Sequence, residues 1–193
     1  AAWLAEFIDA VARDAKKVTV VGYSFGAYIA ILYATKCQAR IDELVLITPV
    51  IKIAWPVSIY GKWFNSLASI SEFVAQKLYT WRPQYDFTTH YLRKAKHPEM
   101  RQMLLQHRRT ELEYLNPDLV LSLFHQFKQI DLVEYAKGIR VKTIVVLAAK
   151  DNVADNKRAK EFITHMEIKP IVVELEKAGH LVPFEEPQVL ATA

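Results

Sequence analysis

The segment Gly22-Tyr23-Ser24-Phe25-Gly26 constrains this chain more than any other. Before it lies a continuous β-branched and apolar run at residues 18–21. After it, Ala27, Ile29, Ala30, Leu32, Tyr33 and Ala34 recur at helical spacing. The run suits a strand buried on both faces, as in a parallel sheet, and the spacing after it suits a helix. Only a tight turn fits between them. Glycines on both sides let such a corner close without steric clash, and the serine then stands clear of the backbone at a helix N-terminus, where negative charge is favoured.

Three further runs read as strands, at residues 43–47, 143–147 and 171–175, and the last precedes a Gly-His pair. A helix is expected to open the chain, because Trp3, Leu4, Phe7, Ile8 and Val11 are spaced by threes and fours within residues 3–15. Strands alternating with helices give an α/β class with a mainly parallel sheet flanked by helices. Residues 53–138 differ. They are aromatic, basic and helix-patterned without a clear buried strand, so they are expected to form a helical cap inserted between core segments 1–52 and 139–193. Within that insertion Asn116-Pro117-Asp118 reads as a helix start, with Pro in the first helical position.

Composition removes several classes. At 193 residues and 52% apolar the chain can bury a core of its own, and its 24% charged residues, without repeats or low-complexity tracts, argue against disorder and solenoids. No apolar stretch is long enough to span a bilayer. The N-terminus carries neither a signal-peptide pattern nor a Met, so the sequence is expected to begin inside a longer protein. Cys37 is the single cysteine, which excludes an internal disulfide and fits a cytoplasmic setting.

A serine hydroxyl becomes a nucleophile when a base takes its proton, and the base needs an acid to fix its tautomer and stabilise its cation. Of the six histidines, His90, His97, His107, His125 and His165 lie in the insertion or on helix-patterned stretches. His180 alone follows a strand run, in Ala178-Gly179-His180, where a ring can project over the C-terminal edge of a sheet. Asp151 ends the strand run at 143–147 through Ala148-Ala149-Lys150 and is the first candidate for the acid. Asp155 is its rival, though its position suits the N-cap of a helix beginning near Asn156.

The order Ser, Asp, His is that of α/β-hydrolases. Gly22-Tyr23-Ser24-Phe25-Gly26-Ala27 resembles the nucleophile elbow of that family, Leu147-Ala148-Ala149-Lys150-Asp151 resembles its acid turn, and residues 179–187 (Gly-His-Leu-Val-Pro-Phe-Glu-Glu-Pro) resemble its histidine loop. The resemblance spans residues 18–49 and 139–191. It implies the C-terminal part of an α/β-hydrolase, with Ser24, Asp151 and His180 as catalytic residues and the Phe25 amide as one oxyanion-hole donor. Family members carry several strands before the elbow, and a loop there supplies the second donor. A further segment, covalently joined or cleaved, is therefore expected to complete the fold on the edge of the elbow strand.

Serine at position 24, where relatives with epoxide hydrolase or dehalogenase chemistry carry aspartate, implies acyl transfer on a small-molecule ester or thioester. No metal or organic cofactor is expected, since neither a metal-ligand cluster nor a dinucleotide fingerprint is present. Tyr23, Trp63 and Phe64 are candidate substrate-binding residues. Residues 62–109 hold nine Lys or Arg against three Asp or Glu, interleaved with aromatics. That pattern suits an acyl chain on an anionic carrier such as coenzyme A or acyl carrier protein, or equally a solvated basic face over a helical core. No nucleic-acid partner is expected. A non-catalytic receptor or scaffold of the same fold, and a carbon–carbon bond hydrolase, remain the alternatives.

Overall fold

In the computed structural model, residues 2–52, 98–114, 116, 122 and 129–192 are described. Helix α1 (Ala2–Val11) leads to β1 (Thr19–Tyr23), α2 (Phe25–Cys37), a single 3-10 turn (Gln38–Arg40) and β2 (Glu43–Ile47). After α3 (Pro98–Tyr114) come a 3-10 segment (Leu132–Gly138), β3 (Lys142–Ala148), α4 (Asn156–His165), β4 (Ile171–Leu175), α5 (Val182–Glu185) and α6 (Pro187–Thr192). All four strand runs expected from the sequence form strands. The opening helix is shorter than expected: beyond Val11 the sequence Arg13-Asp14-Ala15-Lys16-Lys17 offers no apolar side to bury.

The four strands form one parallel sheet in the order β1-β2-β3-β4. Parallel neighbours require crossovers, which α2 and α4 supply among the described residues. The core sits around the middle strands. Leu44 and Leu46 of β2, and Val145, Val146, Leu147 and Ala148 of β3, are buried, and Ala27, Ala30, Ile31, Tyr33 and Ala34 of α2 join them. Small alanines on α2 allow close approach to β1 and β2, which it contacts.

The outer strands correct one expectation. The run at 18–21 reads as a strand buried on both faces, yet β1 is an edge of the described sheet and Val21 is 59% exposed. At the opposite edge Ile171 and Val172 of β4 are exposed as well. Continuous apolar runs mark the strands of a parallel sheet, but they do not separate a central strand from an outer one.

The chain divides into two compact units, residues 1–55 with 131–180, and residues 56–130 with 181–193. The first holds all four described strands. Asp131 and the 3-10 segment, which the sequence pattern assigns to the insertion, lie in this unit, and Leu132, Val133 and Ala136 are buried there, in contact with α2 and α4. The Asp131 side chain caps the segment by accepting a hydrogen bond from the Val133 amide at 3.0 Å. In the second unit the described elements are α3, α5 and α6. The helix start expected at residues 116–118 lies largely outside the described residues. Among the described residues no helix is long and apolar enough to cross a membrane.

Candidate active site

Three loops leave the C-terminal ends of β1, β3 and β4, where open α/β sheets place their ligands. Ser24 occupies the corner between β1 and α2 with φ 54° and ψ −117°. It is not a glycine, so this backbone is strained, at a cost of about 1–3 kcal/mol. The corner is held by three backbone bonds: the Ser24 amide donates to the Ile47 carbonyl (2.9 Å), and the Ser24 carbonyl accepts from Ala27 (3.1 Å) and Val50 (3.4 Å).

The two flanking glycines have different reasons to be there. A Cβ on Gly22 would stand 2.6 Å from the Ala27 Cα and 2.8 Å from the Gly26 carbonyl, so β1 and α2 can meet at this angle only over a glycine. A Cβ on Gly26 would meet nothing within 4 Å. Steric exclusion, expected at both glycines, therefore applies at Gly22 alone.

Asp151 follows β3 in a turn closed by its own amide, which donates to the Ala148 carbonyl at 3.0 Å. Its side chain is fully buried. Oδ1 accepts from the amides of Val153 (2.8 Å) and Ala154 (2.9 Å), which fix the carboxylate and leave Oδ2 to one partner. That partner is His180, whose Nδ1 lies 2.8 Å away. On the far side of the ring, Nε2 is 2.7 Å from the Ser24 Oγ. Ser24, His180 and Asp151 thus form one hydrogen-bonded row drawn from three separate loops. The tautomer with its proton on Nδ1 donates to Asp151 and leaves Nε2 to accept from the serine hydroxyl.

Asp155 is not in this row. It is the N-cap of α4, accepting from the amides of Lys157 (3.0 Å) and Arg158 (3.2 Å). Asn156 reinforces the acid turn by donating from Nδ2 to the Ala148 carbonyl at 2.8 Å. Phe25 begins α2, which puts its amide in the first helical turn beside Ser24. Tyr23 lies against the histidine: the ring centroids are 5.8 Å apart, and its hydroxyl donates to the His180 carbonyl at 3.0 Å. Trp63 and Phe64 fall outside the described residues.

Thr48 is the residue that reading the sequence misses. Buried at the end of β2, it has φ 39° and places its Oγ1 3.4 Å from the same His180 carbonyl. The sequence signal was Thr48-Pro49 directly after a strand run, a turn at the C-terminal sheet edge. Among the described residues no group of three His, Cys, Asp or Glu side chains could hold a metal ion.

Residues 4–187 match the family model described as serine aminopeptidase, S33. The chain belongs to this α/β-hydrolase family. Solved structures of other α/β-hydrolases share the fold at low sequence identity. The enol-lactonase of Burkholderia xenovorans LB400 is 16% identical with a TM-score of 0.68, and the alignment covers 98% of this chain and 67% of that one. A bacterial membrane phospholipase A described as a virulence factor is 20% identical, with a TM-score of 0.70 and coverage of 98% and 58%. The N-formylmaleamic acid deformylase of Pseudomonas putida is 19% identical, with a TM-score of 0.63 and coverage of 96% and 69%. The chain therefore spans between about three fifths and two thirds of these neighbours' length. Among curated proteins the sequence has no match.

Proposed function

We propose that this α/β-hydrolase chain carries the catalytic machinery of a serine hydrolase that cleaves a carboxylic ester or thioester through an acyl-enzyme. The observation that carries this reading is the row Ser24 Oγ, His180 Nε2, His180 Nδ1, Asp151 Oδ2, with both links at hydrogen-bond length. Ser24 attacks the substrate carbonyl carbon as its proton passes to Nε2. The tetrahedral oxyanion that forms is met by the Phe25 amide at the N-terminus of α2. Collapse expels the alcohol or thiol, which takes the proton from His180. Water then attacks the acyl-enzyme with His180 again as base, releasing the acid and restoring Ser24. Asp151, held by two amides and shielded from water, stabilises the imidazolium at each step without itself taking the proton.

An ester or thioester substrate draws support from Ser24 as an oxygen nucleophile and from neighbours named enol-lactonase and phospholipase A. Within that class an acyl group on coenzyme A or acyl carrier protein is the finer proposal, supported by the excess of Lys and Arg at residues 62–109. The second oxyanion donor is assigned to a further segment pairing with the outer edge of β1. The exposure of Val21 there supports it, as does the greater length of the structural neighbours.

Turnover of one acyl group presented as a simple ester and as its coenzyme A thioester tests the proposal. Hydrolysis of both, with kcat/KM for the thioester falling as salt rises, is the expected result. Thioester turnover indifferent to salt would remove the anionic carrier, and no turnover of either by the chain joined to its upstream region would remove the hydrolase reading.

A further inference from the structure

His180 is held at three atoms. Two are ring nitrogens, on Ser24 and Asp151. The third is its carbonyl oxygen, which accepts the Tyr23 hydroxyl at 3.0 Å and lies 3.4 Å from the Thr48 Oγ1. These two hydroxyls come from the C-terminal ends of adjacent strands, Tyr23 closing β1 and Thr48 following β2. Tyr23 is the last residue of β1 and pairs in register with Ile47, the last residue of β2, so Thr48 stands beside Ser24 at the same end of the sheet.

Ser24 and Thr48 are also the two non-glycine residues with positive φ among the described residues. For Ser24 the catalytic corner explains the strain. For Thr48 local packing does not, since a β-branched residue is among the least suited to that conformation and glycine would adopt it freely. The bend at Thr48 is fixed from the other side by its amide, which donates to the Val146 carbonyl of β3 at 2.8 Å. Its buried hydroxyl is what glycine would lack, and that hydroxyl is directed at His180. Strain kept at one buried polar side chain beside a reacting group is a sign of positioning.

We propose that Tyr23 and Thr48 are positioning residues that hold the His180 carbonyl, fix the backbone from which the ring projects, and so keep Nε2 on Ser24 and Nδ1 on Asp151. The inference rests on the hydrolase reading above and gives Tyr23 a task other than lining the substrate. Its physical basis is that the ring pivots on its own backbone. A carbonyl released from both hydroxyls lets the Cα shift, and a misplacement of about 1 Å at a catalytic group costs on the order of a hundredfold in rate.

The test uses Tyr23→Phe and Thr48→Val, which remove each hydroxyl at nearly constant volume, and Thr48→Ser, which keeps it. Two readouts are taken on the full chain. One is the second-order rate at which a fluorophosphonate modifies Ser24. The other is the exchange with water of the His180 Nδ1 proton, observed by NMR in the unreacted protein. Loss of one neutral hydrogen bond predicts slowing of modification by about five- to tenfold in Tyr23→Phe and about threefold in Thr48→Val. Thr48→Ser should stay within about twofold of the parent, and the double variant, which releases the carbonyl from both hydroxyls, should lose more than the product of the two, on the order of a hundredfold. The Nδ1 proton should exchange faster in Tyr23→Phe and Thr48→Val while their Tm stays near the parent's. Parental modification rates and parental proton exchange in both hydroxyl-free variants would overturn the proposal, and Thr48→Ser as slow as Thr48→Val would remove Thr48 from it. If the parent does not react with the probe even when joined to a segment that completes the β1 edge, the hydrolase reading fails, and the proton exchange still decides whether the hydroxyls hold the ring.

Discussion

The middle and the margins of the sheet are built from the same kind of sequence and do different work. β2 and β3 are enclosed, with Leu44, Leu46, Val145 and Val146 almost without solvent contact, whereas Val21 of β1 and Ile171 of β4 are more than half exposed. The site draws on both. Asp151 leaves β3, and its side chain is sealed by the Val153 and Ala154 amides. Ser24 and His180 leave the two outer strands, and their positions depend on side-chain and backbone bonds reaching inward to Ile47, Thr48 and Asp151. A carboxylate fixed on the enclosed strand thus anchors a histidine and a serine carried by strands with less packing of their own.

The largest effect that sharpens this contrast is on the anchor. Asp151→Asn keeps the shape of the turn but presents either an amide donor or a weaker acceptor to Nδ1, leaving His180 in the wrong tautomer. Ser24 modification should slow by up to about ten-thousandfold while Tm changes little. Next in size is the packing difference itself. Leu46→Ala should cost about 2–5 kcal/mol in denaturant unfolding, and Val21→Ala on the exposed edge less than about 1 kcal/mol. Equal losses would mean that β1 is as enclosed as β2 in solution.

The glycines of the elbow offer a smaller test of the same kind. Gly22→Ala forces a Cβ into the Ala27 backbone and should destabilise by about 1–3 kcal/mol or displace the corner. Gly26→Ala meets open space and should be neutral, or stabilising by up to about 1 kcal/mol from its helical position. The smallest effect belongs to the surface. Burial is the largest single influence on Asp131 and pushes its pKa up, but the Val133 amide and the Arg158 guanidinium together outweigh it and hold the carboxyl below its ordinary value of 3.8. The stability this pair adds is present above about pH 4 and is lost as pH falls through the lowered value. Arg158→Ala should therefore lower Tm slightly at pH 7, and by less as the pH falls through that range, with an effect of no more than about 1 kcal/mol for so exposed a pair.

Much of this was legible in the residues. The four strands were marked by apolar runs, because a parallel strand shows the same composition wherever it lies, and for that reason the runs could not tell β1 from β2. That Ser24, Asp151 and His180 meet in one hydrogen-bonded row was legible from their places after strands, which is where a parallel sheet gathers distant residues. Asp155 was separated from Asp151 by helix-capping chemistry, and α4 begins where that chemistry put it. The contacts of Thr48 and Tyr23 with the His180 carbonyl were not legible: Thr48-Pro49 marks a turn, but a positive φ at a threonine and a hydroxyl aimed at a carbonyl 132 residues away are products of tertiary packing. The buried 3-10 segment after Asp131 is too short to carry a periodicity that would distinguish it from the helix-patterned stretch before it.

If His180 and Asp151 activate Ser24, intact mass after exposure to a fluorophosphonate will show a single adduct on this chain and none on its Ser24→Ala variant. An adduct that persists in Ser24→Ala, or a parent that remains unmodified even when joined to a segment that completes the β1 edge, would overturn that role for Ser24.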